Sequence, residues 1–189
     1  MKIAGIVLAG GRSSRFGKPK MFEEYRGKPL YEYSLDAIKQ NELDSVIIAA
    51  HHSLIPQFRR DDEVMFVVES GSEYQGPLYA MHHAMIADEA DWYLVLSCDI
   101  PFVTPEFVRY LLSFIEEGTQ AVIPVEGDKM HPLLGLYHHS CIGEMESILH
   151  DGGRKVRLLF ERIKVQEVPF EEGNLVFINI NRQEDLNRL

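Results

Sequence analysis

Near the start of the chain a pair of glycines is followed by a run of cations. The stretch Leu8-Ala9-Gly10-Gly11-Arg12-Ser13-Ser14-Arg15-Phe16-Gly17-Lys18-Pro19-Lys20 places Arg12, Arg15, Lys18 and Lys20 within nine residues, with no acid between them. Adjacent glycines let the backbone approach a ligand and turn its amides toward it. The chain as a whole carries 19 Lys and Arg against 29 Asp and Glu, a formal net charge of -10. The loop therefore inverts the local sign of charge, as a cradle for a triphosphate would. It is not a P-loop, because Lys18 is followed by Pro19 instead of Ser or Thr. It is not a dinucleotide fingerprint either, since Arg15 holds the place of the third glycine. The plainer reading is a Gly-rich turn with solvated cations, and the apolar run just before it favours the cradle.

Three further segments could act with this loop. Leu94-Val95-Leu96-Ser97-Cys98-Asp99-Ile100-Pro101 ends an apolar run in an aspartate. A carboxylate there is a hard oxygen ligand suited to Mg²⁺ bridging phosphates, although a turn-forming Asp would look the same. Gly76-Pro77-Leu78 opens a helix whose amides could face an anion, or simply starts the helix with proline. In Phe177-Ile178-Asn179-Ile180-Asn181 two asparagines alternate, so an extended segment shows both amides on one side.

The elements that would position these groups follow from hydrophobic pattern. Apolar runs at Ile3–Leu8, Ser45–Ala50, Val64–Val68, Trp92–Ser97 and Gln120–Pro124 predict strands buried on both faces. Helical patterns lie between them at Leu30–Gln40, Pro77–Ala87 and Pro105–Glu117, the last capped by Thr104. The final third is less regular. Strands are expected at Leu133–His138, Lys164–Pro169 and Leu175–Ile178, and helices at Ile142–His150, Lys155–Arg162 and Arg182–Leu189, with Asn181 as a cap. The alternation predicts a three-layer α/β/α, Rossmann-like fold, with a mostly parallel sheet and a modified C-terminal part. All 189 residues are expected to form a single domain.

Composition narrows the function. Hydrophobic residues make up 46% and charged residues 25%, as in an ordinary folded domain. An acidic chain repels polyphosphate backbones, so nucleic acid is not an expected partner. No apolar stretch approaches the roughly 20 residues that span a bilayer, so no membrane is expected. The run Ile3 to Ala9 is too short for a signal segment. Only Cys98 and Cys141 occur, outside any Cys-x-x-Cys pair, which predicts a reducing, cytoplasmic setting. The histidine pairs 51–52, 82–83 and 138–139 are chain neighbours whose side chains diverge, so a zinc site is not expected.

In their order along the chain, these segments resemble the molybdenum cofactor guanylyltransferases of the nucleotide-diphosphosugar transferase-like superfamily. The likeness rests on Leu8-Ala9-Gly10-Gly11 with Arg15 and Lys20, Gly27-Lys28-Pro29-Leu30, Gly76-Pro77-Leu78, Cys98-Asp99-Ile100-Pro101, His131-Pro132-Leu133, and Phe177-Ile178-Asn179-Ile180-Asn181 with Glu184-Asp185-Leu186. It implies guanylyl transfer from GTP to the terminal phosphate of molybdopterin, giving the guanine dinucleotide and pyrophosphate. By resemblance Leu8, Ala9, Gly10 and Gly11 bind the nucleotide, Arg15 and Lys20 neutralise its phosphates, and Asp99 holds Mg²⁺. Glu69 stands where the family commonly has Asp near guanine, and Ala49 where it often has Asn. Gly76 and Pro77 belong to the nucleotide side. Asn179 and Asn181 are expected near the acceptor phosphate or the metal, and His131 on the pterin side; Arg154 and Lys155 after Gly152-Gly153 add positive charge there, unless Gly152-Gly153 is a helix stop and the cations are solvated. The resemblance implies a monomer with transient contact to other molybdenum cofactor proteins. A related cytidylyl- or uridylyltransferase, or a non-catalytic nucleotide binder on the same fold, is the alternative.

Overall fold

The computed structural model describes residues 1–11, 16–69 and 75–188, with the side chains of Glu69, Asn187 and Arg188 left aside. In chain order the strands are β1 (Ile3–Leu8), β2 (Glu24–Tyr25), β3 (Lys28–Pro29), β4 (Ser45–His51), β5 (Val64–Glu69), β6 (Trp92–Ser97), β7 (Ala121–Glu126), β8 (Lys129–Met130), β9 (Leu134–His138) and β10 (Val165–Phe170). The helices are α1 (Leu30–Lys39), α2 (Pro77–Ala87), α3 (Pro105–Leu112), α4 (Cys141–His150) and α5 (Gln183–Arg188). The main sheet runs β10-β7-β9-β6-β1-β4-β5, with β8 paired to β7, while β2 and β3 form a separate hairpin. Pairing is parallel at β1–β4, β4–β5, β1–β6 and β7–β10, and antiparallel where β9 sits between β6 and β7.

Both faces of the sheet are apolar. Val7 and Ala9 of the first strand region, with Leu94 and Leu96 of β6, pack under α1 and α3 through Leu35, Ile38, Val108 and Leu111. Ala4, Ile6 and Leu8, with Tyr93 and Val95, pack under α2 and α4 through Leu78, Met81, Met85, Met145 and Ile148. A period of two with apolar residues at both phases gives a buried strand, and this is the pattern of the expected three layers. Gly5 permits the closeness of α1, since a Cβ there would lie 2.3 Å from Ile38 Cγ2.

The departures from expectation have local causes. Helix α3 stops at Leu112 because Phe114 and Ile115 donate back only three residues, to Leu111 and Leu112. Residues Val156–Glu161 form a 3-10 helix in place of the expected α-helix, with Val156 and Leu159 buried at a spacing of three. The expected strand at 175–178 is a 3-10 turn, Leu175–Phe177, started by Asn174, whose side chain accepts from the Val176 amide at 3.1 Å. The β2–β3 hairpin escaped the pattern reading. Its turn puts Arg26 at φ 50° and Gly27 at φ 76°, the two positive φ values of a type I′ turn, without the usual Asn-Gly signal.

Candidate active site

The order of strands reverses at β1, which has β4 on one side and β6 on the other. Such a switch point opens a crevice at the strands' carboxyl ends. Leu8 and Ser97 are register partners there, and the ladder continues with the Cys98 amide donating to the Leu8 carbonyl at 3.2 Å. The chain leaves β1 as Gly10-Gly11 and leaves β6 as Asp99, so the two segments meet across a cleft of ≈ 130 Å³. Leu8 lines it from the end of β1, Gly10, Gly11, Lys20 and Met21 from the segment that follows, Pro77 and Ala80 from α2, Ser97, Cys98 and Asp99 from the end of β6 and the turn after it, and Leu133 from the turn just before β9.

The floor of this cleft is an ion pair. Lys20 Nζ lies 2.5 Å from Asp99 Oδ2, and the two side chains are 15% and 10% exposed. Ser97 Oγ donates to the other Asp99 oxygen. Ser34 Oγ on α1 donates to the Ser97 carbonyl at 2.7 Å and fixes this strand end from below. The Ile180 amide donates to the Asp99 carbonyl at 2.8 Å, and Lys20 Nζ also reaches the Ile180 carbonyl at 3.4 Å. The asparagine segment is thereby docked on the same two residues. Ile180 is buried with Phe16, Tyr25 and Leu30, while Asn179 and Asn181 on either side are exposed. Burial, aided by the Asp99 carboxylate, pushes the Cys98 thiol up to about 12, so it stays protonated and is no nucleophile at neutral pH.

Seven residues singled out by sequence thus meet or border the cleft: Leu8, Gly10, Gly11, Lys20, Gly76, Pro77 and Asp99. Gly76 stands just behind Pro77 at φ 92°, and a Cβ on it would lie 3.2 Å from Arg154 Cβ and from the Arg154 carbonyl oxygen. Ala9 faces the core under α1, and it serves the loop through its amide, which donates to the Ala49 carbonyl at 2.8 Å. Ala49 is fully buried. Glu69 ends β5 opposite His51, two strands from β1. The expectation for Arg15 falls outside the described residues.

The acceptor-side residues are placed differently from one another. Asp185, in the first turn of α5, accepts at Oδ2 from the Asn181 and Arg182 backbone amides at 2.9 and 2.8 Å, which ties the asparagine segment to the start of that helix. Arg154 spends its guanidinium on the end of α4, donating to the Leu149 and Gly153 carbonyls at 3.0 and 2.8 Å. His131 is buried against Phe177. Sequence reasoning missed Ser97, Met21 and Ile180, and only Ser97 left a signal, as a polar residue closing an apolar strand two places before Asp99.

The donor set can be tested against a metal. Among the described residues no group of three or more His, Cys, Asp or Glu side chains gathers to hold one. Among the described residues that line the cleft, Asp99 is the one carboxylate. That suits Mg²⁺, which takes one or two carboxylates and completes its shell with substrate phosphates and water. The residues present fit a metal that arrives with a nucleotide.

No helix among the described residues is long and apolar enough to cross a membrane. Residues 5–167 match the family model of the MobA-like NTP transferase domain. A relative from Halalkalibacterium halodurans, named "probable molybdenum cofactor guanylyltransferase", is 40% identical over 190 residues, covering 97% of this chain and 95% of that one. The crystal structure of the molybdopterin-guanine dinucleotide biosynthesis protein A from Archaeoglobus fulgidus superposes with a TM-score of 0.78 at 28% identity, over 100% of this chain and 96% of that one. A Mycobacterium tuberculosis protein solved in complex with manganese shares the fold, with a TM-score of 0.77 at 21% identity over 100% of this chain and 98% of that one. A Gly-Gly loop and a Lys–Asp floor at the switch point of a mostly parallel sheet, together with these likenesses, establish that the chain belongs to the MobA-like NTP transferase family.

Proposed function

We propose that this chain transfers the guanylyl group of GTP to the terminal phosphate of molybdopterin and releases pyrophosphate. A phosphate oxygen of the acceptor attacks the α-phosphorus, and the bond from that phosphorus to the oxygen bridging to the β-phosphate breaks. The attacking oxygen is already ionised at neutral pH, so no strong general base is required. Catalysis rests on alignment and charge neutralisation. The observation that carries this reading is the meeting of Lys20, Asp99 and the Asn179–Asn181 segment beneath Gly10-Gly11.

The chain's own groups divide the work. The amides and bare backbone of Gly10 and Gly11 admit the nucleotide closely. Lys20, with Arg15, offsets triphosphate charge, while Leu8, Glu69, Gly76 and Pro77 bound the nucleotide side. Asn179 and Asn181 face the acceptor phosphate. Asp99 would hold Mg²⁺, which supplies charge neutralisation to the phosphates when bound. Lys20 would turn from Asp99 to phosphate, which frees the Asp99 carboxylate oxygen. The same reading takes the chain as one domain, acting as a monomer in the cytoplasm with GTP and molybdopterin as its partners.

The test is a pyrophosphate-release assay with molybdopterin and each of GTP, CTP and UTP at fixed Mg²⁺. Release with GTP, accompanied by the guanine dinucleotide, is expected. Preference for CTP or UTP, or release that does not depend on the acceptor, would overturn the assignment.

A further inference from the structure

His131 is a histidine placed like a core residue. It is 6% exposed, its ring lies on Phe177 with centroids 4.0 Å apart and planes 17° from parallel, and its Nε2 has no hydrogen-bond partner among the described residues. Glu126 Oε2 stands 3.5 Å from that nitrogen, too far for a good hydrogen bond but close enough to bias the ring's orientation. Glu126 is itself held, because its Oε1 accepts from the Gly173 amide at 2.7 Å. A fixed carboxylate, a flat ring and a second flat ring thus form a continuous stack from the end of β7 to the turn that follows β10.

That stack ends beside the acceptor segment. Phe177 closes the turn Leu175–Phe177, three residues before Ile180, whose amide bonds the Asp99 carbonyl. On its other side His131 leads through Pro132 to Leu133, which lines the cleft and accepts from the Ser97 amide at 2.9 Å. One ring therefore touches the chain entering the acceptor segment, and two residues later the same chain borders the reacting groups. We propose that His131 is a positioning residue, whose ring, oriented by Glu126 and stacked on Phe177, sets where the Asn179–Asn181 segment docks on Asp99 and Lys20. The assignment of those asparagines to the acceptor rests on the guanylyltransferase reading, whereas the positioning of the segment does not.

Two variants and two readouts test it. In His131→Ala the ring is gone, and hydrogen exchange at the Ile180 amide should quicken at least tenfold while exchange in β1 and β6 stays unchanged. The KM for molybdopterin should rise about tenfold, with GTP affinity by calorimetry within twofold of wild type. His131→Phe keeps the ring and should return exchange at Ile180 and the acceptor KM to within threefold of wild type. Unchanged exchange at Ile180 in His131→Ala would overturn the proposal, and so would a GTP affinity that falls in parallel with acceptor use, or a His131→Phe variant that behaves like His131→Ala. If wild-type protein makes no guanine dinucleotide, the guanylyltransferase reading fails by itself, and the exchange arm still decides the role of His131.

Discussion

Replacing Lys20 by Met should destabilise the free protein even though the residue lies in a ligand cleft. The Asp99 residue is only 7% exposed, and its second oxygen depends on Lys20 at 2.5 Å. Without the ammonium, a nearly buried carboxylate keeps the Ser97 hydroxyl and nothing of opposite charge among the contacts described. Removing one partner of a buried pair costs about 3–5 kcal/mol. Side-chain exposures of 15% and 10% let some water in, which places the expected loss near the lower bound, about 3 kcal/mol. For a chain of this size that is a fall in Tm of about 6–12 °C. Urea unfolding of Lys20→Met, Asp99→Asn and the double variant measures it. The double variant no longer buries a lone carboxylate, so a coupling of about 2 kcal/mol is expected between the two sites. GTP affinity should fall about tenfold, the lower end for a charge-assisted contact, because Lys20 must leave Asp99 to reach phosphate. A Lys20→Met protein within about 0.5 kcal/mol of wild type, the usual range of surface substitutions, would show that the pair is solvated and the reasoning wrong.

Asp99→Asn should keep the fold and lose most turnover, with its dependence on divalent metal weakened in parallel; near-normal rates at matched Mg²⁺ would remove Asp99 from the metal. Gly76→Ala forces a side chain onto φ 92° against the Arg154 backbone, which should cost about 1–3 kcal/mol in urea unfolding and weaken GTP binding through Pro77. Arg154→Ala should cost about 0.5–1.5 kcal/mol through its lost carbonyl contacts and leave the molybdopterin KM unchanged; a large rise in KM would return Arg154 to the acceptor site. Burial lowers the pKa of His131, His82 and His138 from the ordinary 6.5, so the unfolded chain takes up protons first as pH falls. Stability present above about pH 6.5 should therefore decline below it, and urea titrations of His131→Phe between pH 7 and 5 should show a shallower decline.

Most of the frame was legible in the sequence because it rests on local pattern. Ile3–Leu8 and Trp92–Ser97 are strands at the bounds their apolar runs predicted, since a strand apolar at both phases has few other places to go. Thr104 and Pro105 announced α3 because a cap needs only neighbours in the chain. The cleft's chemical types were legible too, as glycines, cations and one aspartate at the ends of those strands. Tertiary structure decided what these groups do to each other. Lys20 and Asp99 are 79 residues apart, and only the parallel pairing of β1 with β6 at the switch point brings them together. Ile180 joins them from 81 residues further on through backbone groups, which carry no side-chain signal to read. Arg154 and His131 looked alike in sequence, as polar residues of the C-terminal third. Packing gave Arg154 to a helix end and His131 to the face of Phe177, because a buried polar group takes whichever partners the fold leaves within reach.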